Sequence, residues 1–194
     1  KIIDFNRPFV TSEDKKYVDR VFKNNKYADG YFQGQCENFI REKIKSKFVA
    51  LTQSCTSALE IAMILINLKK DDEVIMPSYT FTSTANAVLL RGAKPVFAEI
   101  DKKNLSIDVD RIEPLITQRT KALVPVHYAG SCCDMDKLES ISKEHKIPII
   151  EDAAQAFLST YKGKALGSLG EMSTLSFHET KNIISGEGGA LIIN

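Results

Sequence analysis

Lys181 lies in Ser173-Thr-Leu-Ser-Phe-His-Glu-Thr-Lys-Asn182, a short apolar run that opens into a loop. Behind it, Gly186-Glu-Gly-Gly189 turns the chain back into a second apolar run, Ala190-Leu-Ile-Ile193. A lysine placed so is either a solvated cation or a nucleophilic amine able to form a Schiff base. Alone, the stretch favours the solvated cation. Four other places bear on the choice, each at the end of an apolar run. Thr52-Gln-Ser-Cys-Thr-Ser57 opens a helix with hydroxyls and free backbone N–H groups, the makings of a site for one phosphate, or simply a Ser/Thr cap. Pro77-Ser-Tyr-Thr-Phe-Thr-Ser83 holds two aromatics that can stack on a flat ring or fill a core. Val126-His-Tyr-Ala-Gly130 sets an imidazole against a small-residue turn, and a lone histidine is more often structural than a ligand. Glu151-Asp152 puts two carboxylates directly after an apolar run, where a buried one needs a cation or several donors.

The elements that must position these residues alternate. Thr11 caps a helix whose apolar positions are Val18, Val21 and Phe22, and a polar loop over 24–34 precedes a helix from about Gln35 to Ile44. Strands are predicted at 48–51, 73–76, 95–100, 121–126, 147–150, 172–177 and 190–193. Helices are predicted between them over 58–68, 82–91, 108–116 (with Pro114 near an end) and 134–144. Apolar strands separated by helices predict one α/β domain with a mostly parallel sheet covered on both faces. Ligands then bind beyond the carboxyl ends of the strands, where all five candidate stretches fall.

Composition narrows the field. A net charge of +1 over 194 residues, with basic residues dispersed, leaves no footprint for nucleic acid. The longest apolar run, Ala58 to Leu68, is far short of the roughly 20 residues a membrane helix needs. The N-terminus shows no signal-peptide core. Cysteines 36, 55, 132 and 133 lack ligand spacing, so no metal site is expected, and reduced thiols in a cytoplasmic protein are. Neither G-x-G-x-x-G nor a P-loop is present, which counts against dinucleotides and nucleoside triphosphates.

Taken together, the strand-end residues describe the needs of one coenzyme. Pyridoxal phosphate requires an amine for its aldehyde, a carboxylate for its ring nitrogen, an anion site and a flat neighbour. Lys181, Asp152, the Thr56/Ser57 turn and an aromatic at 79–81 meet all four.

With those residues in hand, the chain resembles the DegT-type sugar aminotransferases from Asn6 to Asn194. The resemblance rests on Ser54-Cys-Thr-Ser-Ala-Leu59, Pro77-Ser-Tyr-Thr-Phe81, Pro125-Val-His-Tyr-Ala-Gly130, Glu151-Asp-Ala-Ala-Gln155 and Ser176-Phe-His-Glu-Thr-Lys-Asn182 with its glycines. It implies the three-layer αβα large domain of the aspartate-aminotransferase fold, with a seven-stranded sheet whose last strand is antiparallel. It divides the chain into an N-terminal segment and substrate-side loop (1–34) and a coenzyme domain (35–194). A C-terminal small domain is expected beyond Asn194, since family members run to nearly twice this length and this chain stops inside an apolar run.

The resemblance further implies roles. Lys181 is the Schiff-base lysine and proton shuttle, Asp152 the partner of the ring nitrogen, and Gln155 a neighbour of the ring hydroxyl. Phe81 stacks on the ring, and Ser176, Thr56 and Ser57 hold the phosphate. Lys26, Tyr31, His127 and Tyr128 are implied contacts of a sugar nucleotide. Glutamate is the implied amino donor, and the 4-keto group of a dTDP-4-keto-6-deoxyhexose the acceptor, in synthesis of a surface-polysaccharide precursor. The wording of 74–86 and 176–182 is nearest to members that make dTDP-4-amino-4,6-dideoxygalactose. A homodimer with a shared active site is also implied. Two other readings stay open: an aminotransferase for a UDP-linked or 3-keto sugar, and a non-catalytic module that binds coenzyme or a partner.

Overall fold

The computed structural model describes residues 6–25, 27 and 30–194. Helix α1 (Ser12–Asn24) begins at a reciprocal cap: Thr11 Oγ1 accepts from Asp14 N–H while the Asp14 carboxylate accepts from Thr11 N–H at 2.6 Å. Its predicted apolar positions do not enter the core: Val21 is half-buried and Phe22 meets the edge of Tyr27, ring centroids 5.9 Å apart. No residue of α1 is buried, and Val18 and Phe22 stay exposed. Helix α2 (Tyr31–Ile44) starts four residues before its expected start, because Gly30 rather than Gly34 ends the loop. A domain boundary between 34 and 35 would therefore cut a continuous helix.

Strand β1 (Phe48–Thr52) leads into α3 (Cys55–Leu65), and β2 (Glu73–Pro77) into α4 (Thr82–Leu89). Then come β3 (Lys94–Ala98), β4 (Thr120–Leu123), α5 (Met135–His145) and β5 (Ile150–Asp152). A short hairpin, β6 (Thr160–Tyr161) and β7 (Lys164–Ala165), precedes β8 (Met172–Ser176) and β9 (Gly189–Ile193). The helix expected over 108–116 is replaced by two short 3-10 turns, Val109–Arg111 and Glu113–Leu115. Pro114 sits at the start of the second, where its missing N–H and ring block a continuous α-helix.

The sheet departs from the expected single seven-stranded layer. Strands β1-β9-β8-β5 form one sheet and β3-β2-β4 another. Antiparallel ladders (β1·β9, β8·β9 and β6·β7) are as numerous as parallel ones (β2·β3, β2·β4 and β5·β8). The break lies between β4 and β5, where Pro125 on one side and Pro148 on the other cannot donate. Isolated bridges remain at Leu123↔Ile149 and Val126↔Asp152. Three backbone bonds cross the seam, Leu123 N to Pro148 O, Asp152 N to Pro125 O and His127 N to Asp152 O, at 2.9–3.0 Å. As expected, β9 is antiparallel to both neighbours.

Successive strand residues point to opposite faces, and both faces are covered. Val74, Met76, Val124 and Leu191 meet α3 and α4 in one core. On the other face Ile75, Leu123 and Ile149 pack with α5, while Leu175, Ala190 and Ile192 pack with Ile40 and Ile44 of α2. The result is helix, sheet, helix. Among the described residues no helix is long and apolar enough to cross a membrane.

Candidate active site

A cavity of about 710 Å³ opens at the carboxyl ends of β2, β5 and β8 and the start of α3. It lies within the usual range for small-molecule sites. Thr56, Phe81, His127, Tyr128, Asp152, Gln155, Ser176 and Lys181 all line it, although they are spread over 126 positions of sequence. Ser57 and Tyr31 are not in its wall. The Ser57 hydroxyl lies 3.2 Å from Ser54 Oγ within the helix cap, and Tyr31, 64% exposed at the start of α2, accepts from Gln35 Nε2. Lys26 lies outside the described residues.

The α3 end of the cavity depends on a close approach. A Cβ on Gly189 would lie 2.6 Å from Ser54 O, and closer still to Ser54 C and Cys55 N. Only glycine lets β9 pass beneath the first turn of α3, which in turn leaves that turn seated on the sheet. Ser54 caps the helix through Ser57 N–H at 3.1 Å, and Thr56 Oγ1 pairs with Ser83 Oγ at 2.7 Å. Ser176, the last residue of β8, faces the same corner. Hydroxyls and a helix N-terminus gathered in one corner are the chemical means of holding an anion.

Asp152 ends β5 and is buried. Its Oδ2 accepts from Thr84 Oγ1 at 2.7 Å and its Oδ1 from Ala154 N–H at 3.2 Å. Burial pushes its carboxyl above the usual range, opposed by the Thr84 hydroxyl, the Ala154 N–H and the nearby His127 and Lys181. Thus donors, not an ion pair, satisfy this carboxylate among the described residues.

Glu151 points the other way, as strand alternation requires. Oε2 accepts from His127 Nε2 and Gly167 N–H, and Oε1 from Leu169 and Gly170 N–H, all at 2.7–2.8 Å. Burial would raise its carboxyl, yet the His127 bond and charge with the backbone donors hold it below the ordinary value. As Glu151 is a carboxylate, His127 Nε2 carries a proton. The other ring nitrogen, Nδ1, is buried in a cavity-lining residue and has no hydrogen-bond partner among the described residues.

The lysine loop is pinned at both ends. Phe177 N–H donates to Gly188 O and Ser185 N–H to Phe177 O, each at 2.8 Å, and Asn182 Nδ2 reaches Phe157 O at 2.9 Å. Gln155 is anchored too: its Oε1 accepts from Ala129 N–H at 2.8 Å, in a turn where Ala129 is left-handed (φ 50°). Tyr79 and Tyr128 hydroxyls meet at 3.1 Å on the opposite wall, and Phe81, 74% exposed, precedes α4.

Sequence reasoning did not single out Thr84, Thr80 or the Glu151–His127 pair. The available signal was the pair of hydroxyls Thr80 and Thr84 flanking a helix start, where Ser and Thr side chains commonly make local hydrogen bonds.

A layered α/β fold with an amine, a carboxylate and a hydroxyl corner at the strand ends is what a coenzyme-binding domain needs. The chain belongs to the DegT/DnrJ/EryC1/StrS aminotransferase family, which it matches over residues 8–194. It is 38% identical to the UDP-4-amino-4-deoxy-L-arabinose–oxoglutarate aminotransferase of Shewanella sediminis, over 94% of this chain and 47% of that protein. To the GDP-perosamine synthase of Escherichia coli O157:H7 it is 34% identical, over 100% of this chain and 54% of the relative. Among solved structures, the putative sugar aminotransferase Spr1654 of Streptococcus pneumoniae in its PLP form superimposes with a TM-score of 0.90 at 28% identity, covering 99% and 53%. DesI with its TDP-sugar product gives 0.89 at 32%, covering 96% and 48%. The chain spans about half the length of the curated relatives it matches.

Family and fold imply pyridoxal phosphate, and the residues present fit it. The Lys181 amine, the Asp152 carboxylate, the Gln155 amide and the hydroxyl corner line one cavity of suitable size.

Proposed function

We propose that the protein is a pyridoxal-phosphate-dependent sugar-nucleotide aminotransferase. The observation behind this reading is the convergence of Lys181, Asp152, Gln155, Thr56 and Ser176 on one cavity. When bound, the coenzyme supplies an aldehyde that can take up an amino group and a ring that stabilises negative charge on the substrate carbon.

This chain's residues do the rest. Lys181 is the attachment point, and its amine moves the proton at the substrate carbon, which the pinned loop keeps within reach of the cavity. Asp152, as an anion, holds a proton on the ring nitrogen. Gln155, its carbonyl fixed by Ala129, offers its amide NH₂ to the ring hydroxyl. Thr56 and Ser176, with the first turn of α3 that Ser57 N–H and Ser54 Oγ cap, would hold the phosphate. Phe81, in the cavity wall, would supply the flat neighbour for the ring.

We assign glutamate as donor and the 4-keto carbon of a dTDP-4-keto-6-deoxyhexose as acceptor, with the cavity-lining His127 and Tyr128 on the substrate side; Tyr31 and Lys26 stand as substrate contacts on the family resemblance alone. Support for the thymidine nucleotide is the wording of residues 74–86 and 176–182 and the TDP-sugar of the DesI relative. The UDP- and GDP-sugar relatives favour a second reading, the same chemistry on another nucleotide. We assign the working unit as a homodimer whose sites are completed across the interface. Borohydride reduction of the coenzyme-loaded intact protein should attach a pyridoxyl group to Lys181, located by peptide mass. Label elsewhere, or none, refutes the enzyme reading. A panel of dTDP-, UDP- and GDP-linked 3- and 4-keto sugars with glutamate, read by mass, then decides the acceptor.

A further inference from the structure

We propose that Thr84, backed by Thr80, is a positioning residue that keeps Asp152 anionic and in one orientation at the cavity. The inference rests on the coenzyme reading above for its purpose, though not for its geometry.

Thr84 is buried, and its hydroxyl oxygen lies 2.7 Å from Asp152 Oδ2 and 2.8 Å from Thr80 Oγ1. A hydroxyl has one proton to give, and an ionised carboxylate only accepts. With Asp152 ionised, the Thr84 proton points at Oδ2, and Thr80 must donate its own proton to Thr84. The two hydroxyls form a directed relay, Thr80 to Thr84 to Asp152. Each bond in such a chain polarises the next, and the last is charge-assisted.

The relay matters because nothing stronger replaces it. Burial is the largest influence on Asp152 and favours the neutral acid, while the Thr84 hydroxyl is the foremost opposing contact. The remaining titratable neighbours are Cys55 at the start of α3, His127 after β4 and Lys181 after β8. None is within hydrogen-bonding distance of the carboxylate among the described residues. Thr84 lies in the first turn of α4 with its hydroxyl on Asp152 at the end of β5, and Thr80, just before the cap residue Phe81, reaches the Thr84 hydroxyl from the incoming loop. A neutral Asp152 could only donate its own proton into a hydrogen bond with a ring nitrogen, whereas an anionic Asp152 would stabilise the charge of the protonated ring. Thr84 therefore acts on the coenzyme through Asp152.

The test compares Thr84→Val, which keeps shape and removes the hydroxyl, with Thr84→Ser, which keeps the hydroxyl. Two readouts are used on the intact protein. Without coenzyme, isotope-labelled aspartate followed by carboxyl NMR reports the pH at which Asp152 titrates. Thr84→Val should move that midpoint to higher pH, and Thr84→Ser should leave it near wild type. With pyridoxal phosphate, Thr84→Val should bind about tenfold or more weakly at neutral pH, as expected for loss of one hydrogen bond to a charged group. That deficit should shrink as pH rises. An unmoved Asp152 midpoint in Thr84→Val, or an equal shift in Thr84→Ser, overturns the proposal. If Thr84→Val does not fold, Thr80→Val takes its place, with a shift in the same direction expected and no shift overturning the relay. Failure of the coenzyme reading would be separate: wild type would take no label on Lys181, while the coenzyme-free titration would still judge Thr84.

Discussion

Replacing Gly189 by alanine should damage the anion corner from beneath, without touching any residue that meets a ligand. Gly189 pairs with Thr52 on one side and Ser176 on the other, and runs under the first turn of α3. The added Cβ would stand 2.6 Å from Ser54 O, whereas ordinary contact begins at 3.4 Å. Strand and helix start must separate by about 0.8 Å to relieve that one contact, and further for Ser54 C and Cys55 N. The opposing atoms are backbone, so no side chain can swing away. Overpacking costs about 1–3 kcal/mol, and a backbone clash belongs at the upper end. For a chain of this size, about 3 kcal/mol lowers the melting temperature by roughly 6–12 °C. The same displacement moves the Ser54 cap and Thr56 away from Ser176, so affinity for pyridoxal phosphate should fall about tenfold or more. The assay is calorimetry alongside a coenzyme titration followed by absorbance. Gly163→Ala is the control. Gly163 has φ +81° in the β6–β7 turn with nothing within 4 Å of a built Cβ, so it should cost about 1–2 kcal/mol of backbone strain and leave coenzyme affinity unchanged. If Gly189→Ala loses stability but binds coenzyme like wild type, the start of α3 does not owe its ligand geometry to this approach. If it loses neither, the packing argument fails altogether.

Two further outcomes follow from the buried carboxylates. The Asp152 carboxyl is raised by burial, so it stabilises the coenzyme-free fold at low pH, and that contribution is lost as pH rises through its folded-state midpoint. Asp152→Asn should therefore unfold at a higher temperature than wild type at neutral pH without coenzyme. The difference should close towards the ordinary value of 3.8, and transamination should be largely abolished; a wild-type turnover would remove Asp152 from the ring-nitrogen role. Glu151 has the opposite sign, its carboxyl being lowered, so its contribution is present above the ordinary value of 4.5 and lost as pH falls below it. Glu151→Gln cannot accept from four donors, and buried N–H groups near 167–170 would be left unpaired at about 1–3 kcal/mol each. The variant should be markedly less stable at neutral pH and show a flatter acid limb, and equal neutral-pH melting temperatures would contradict this.

Much of the architecture was legible because local signals suffice for it. The alternating apolar runs located seven of the nine described strands to within a few residues, and Thr11 marked the start of the first helix. Elements whose formation depends on backbone detail were less legible. The β6–β7 hairpin turns at Lys162 and Gly163, both with positive φ, as a two-residue turn requires, but Lys-Gly announces this less clearly than Asn-Gly. The division of the sheet came from two prolines, one on each side of a single seam, which no single segment reveals.

By itself the sequence determined the residue chemistry: one lysine after a strand, carboxylates at another strand end, hydroxyls at a helix start, and the family they resemble. Tertiary structure alone decided which of them share a cavity. It brought in Thr56, Phe81, Gln155 and Ser176, and left Ser57 in its cap and Tyr31 on the exposed start of α2. It also separated Glu151 from Asp152, sending one to His127 and the other to Thr84. The reason is that propensity and spacing act over a few residues. Contacts such as Thr84–Asp152, 68 positions apart, and Gly189 beneath Ser54 exist only once strands and helices are stacked.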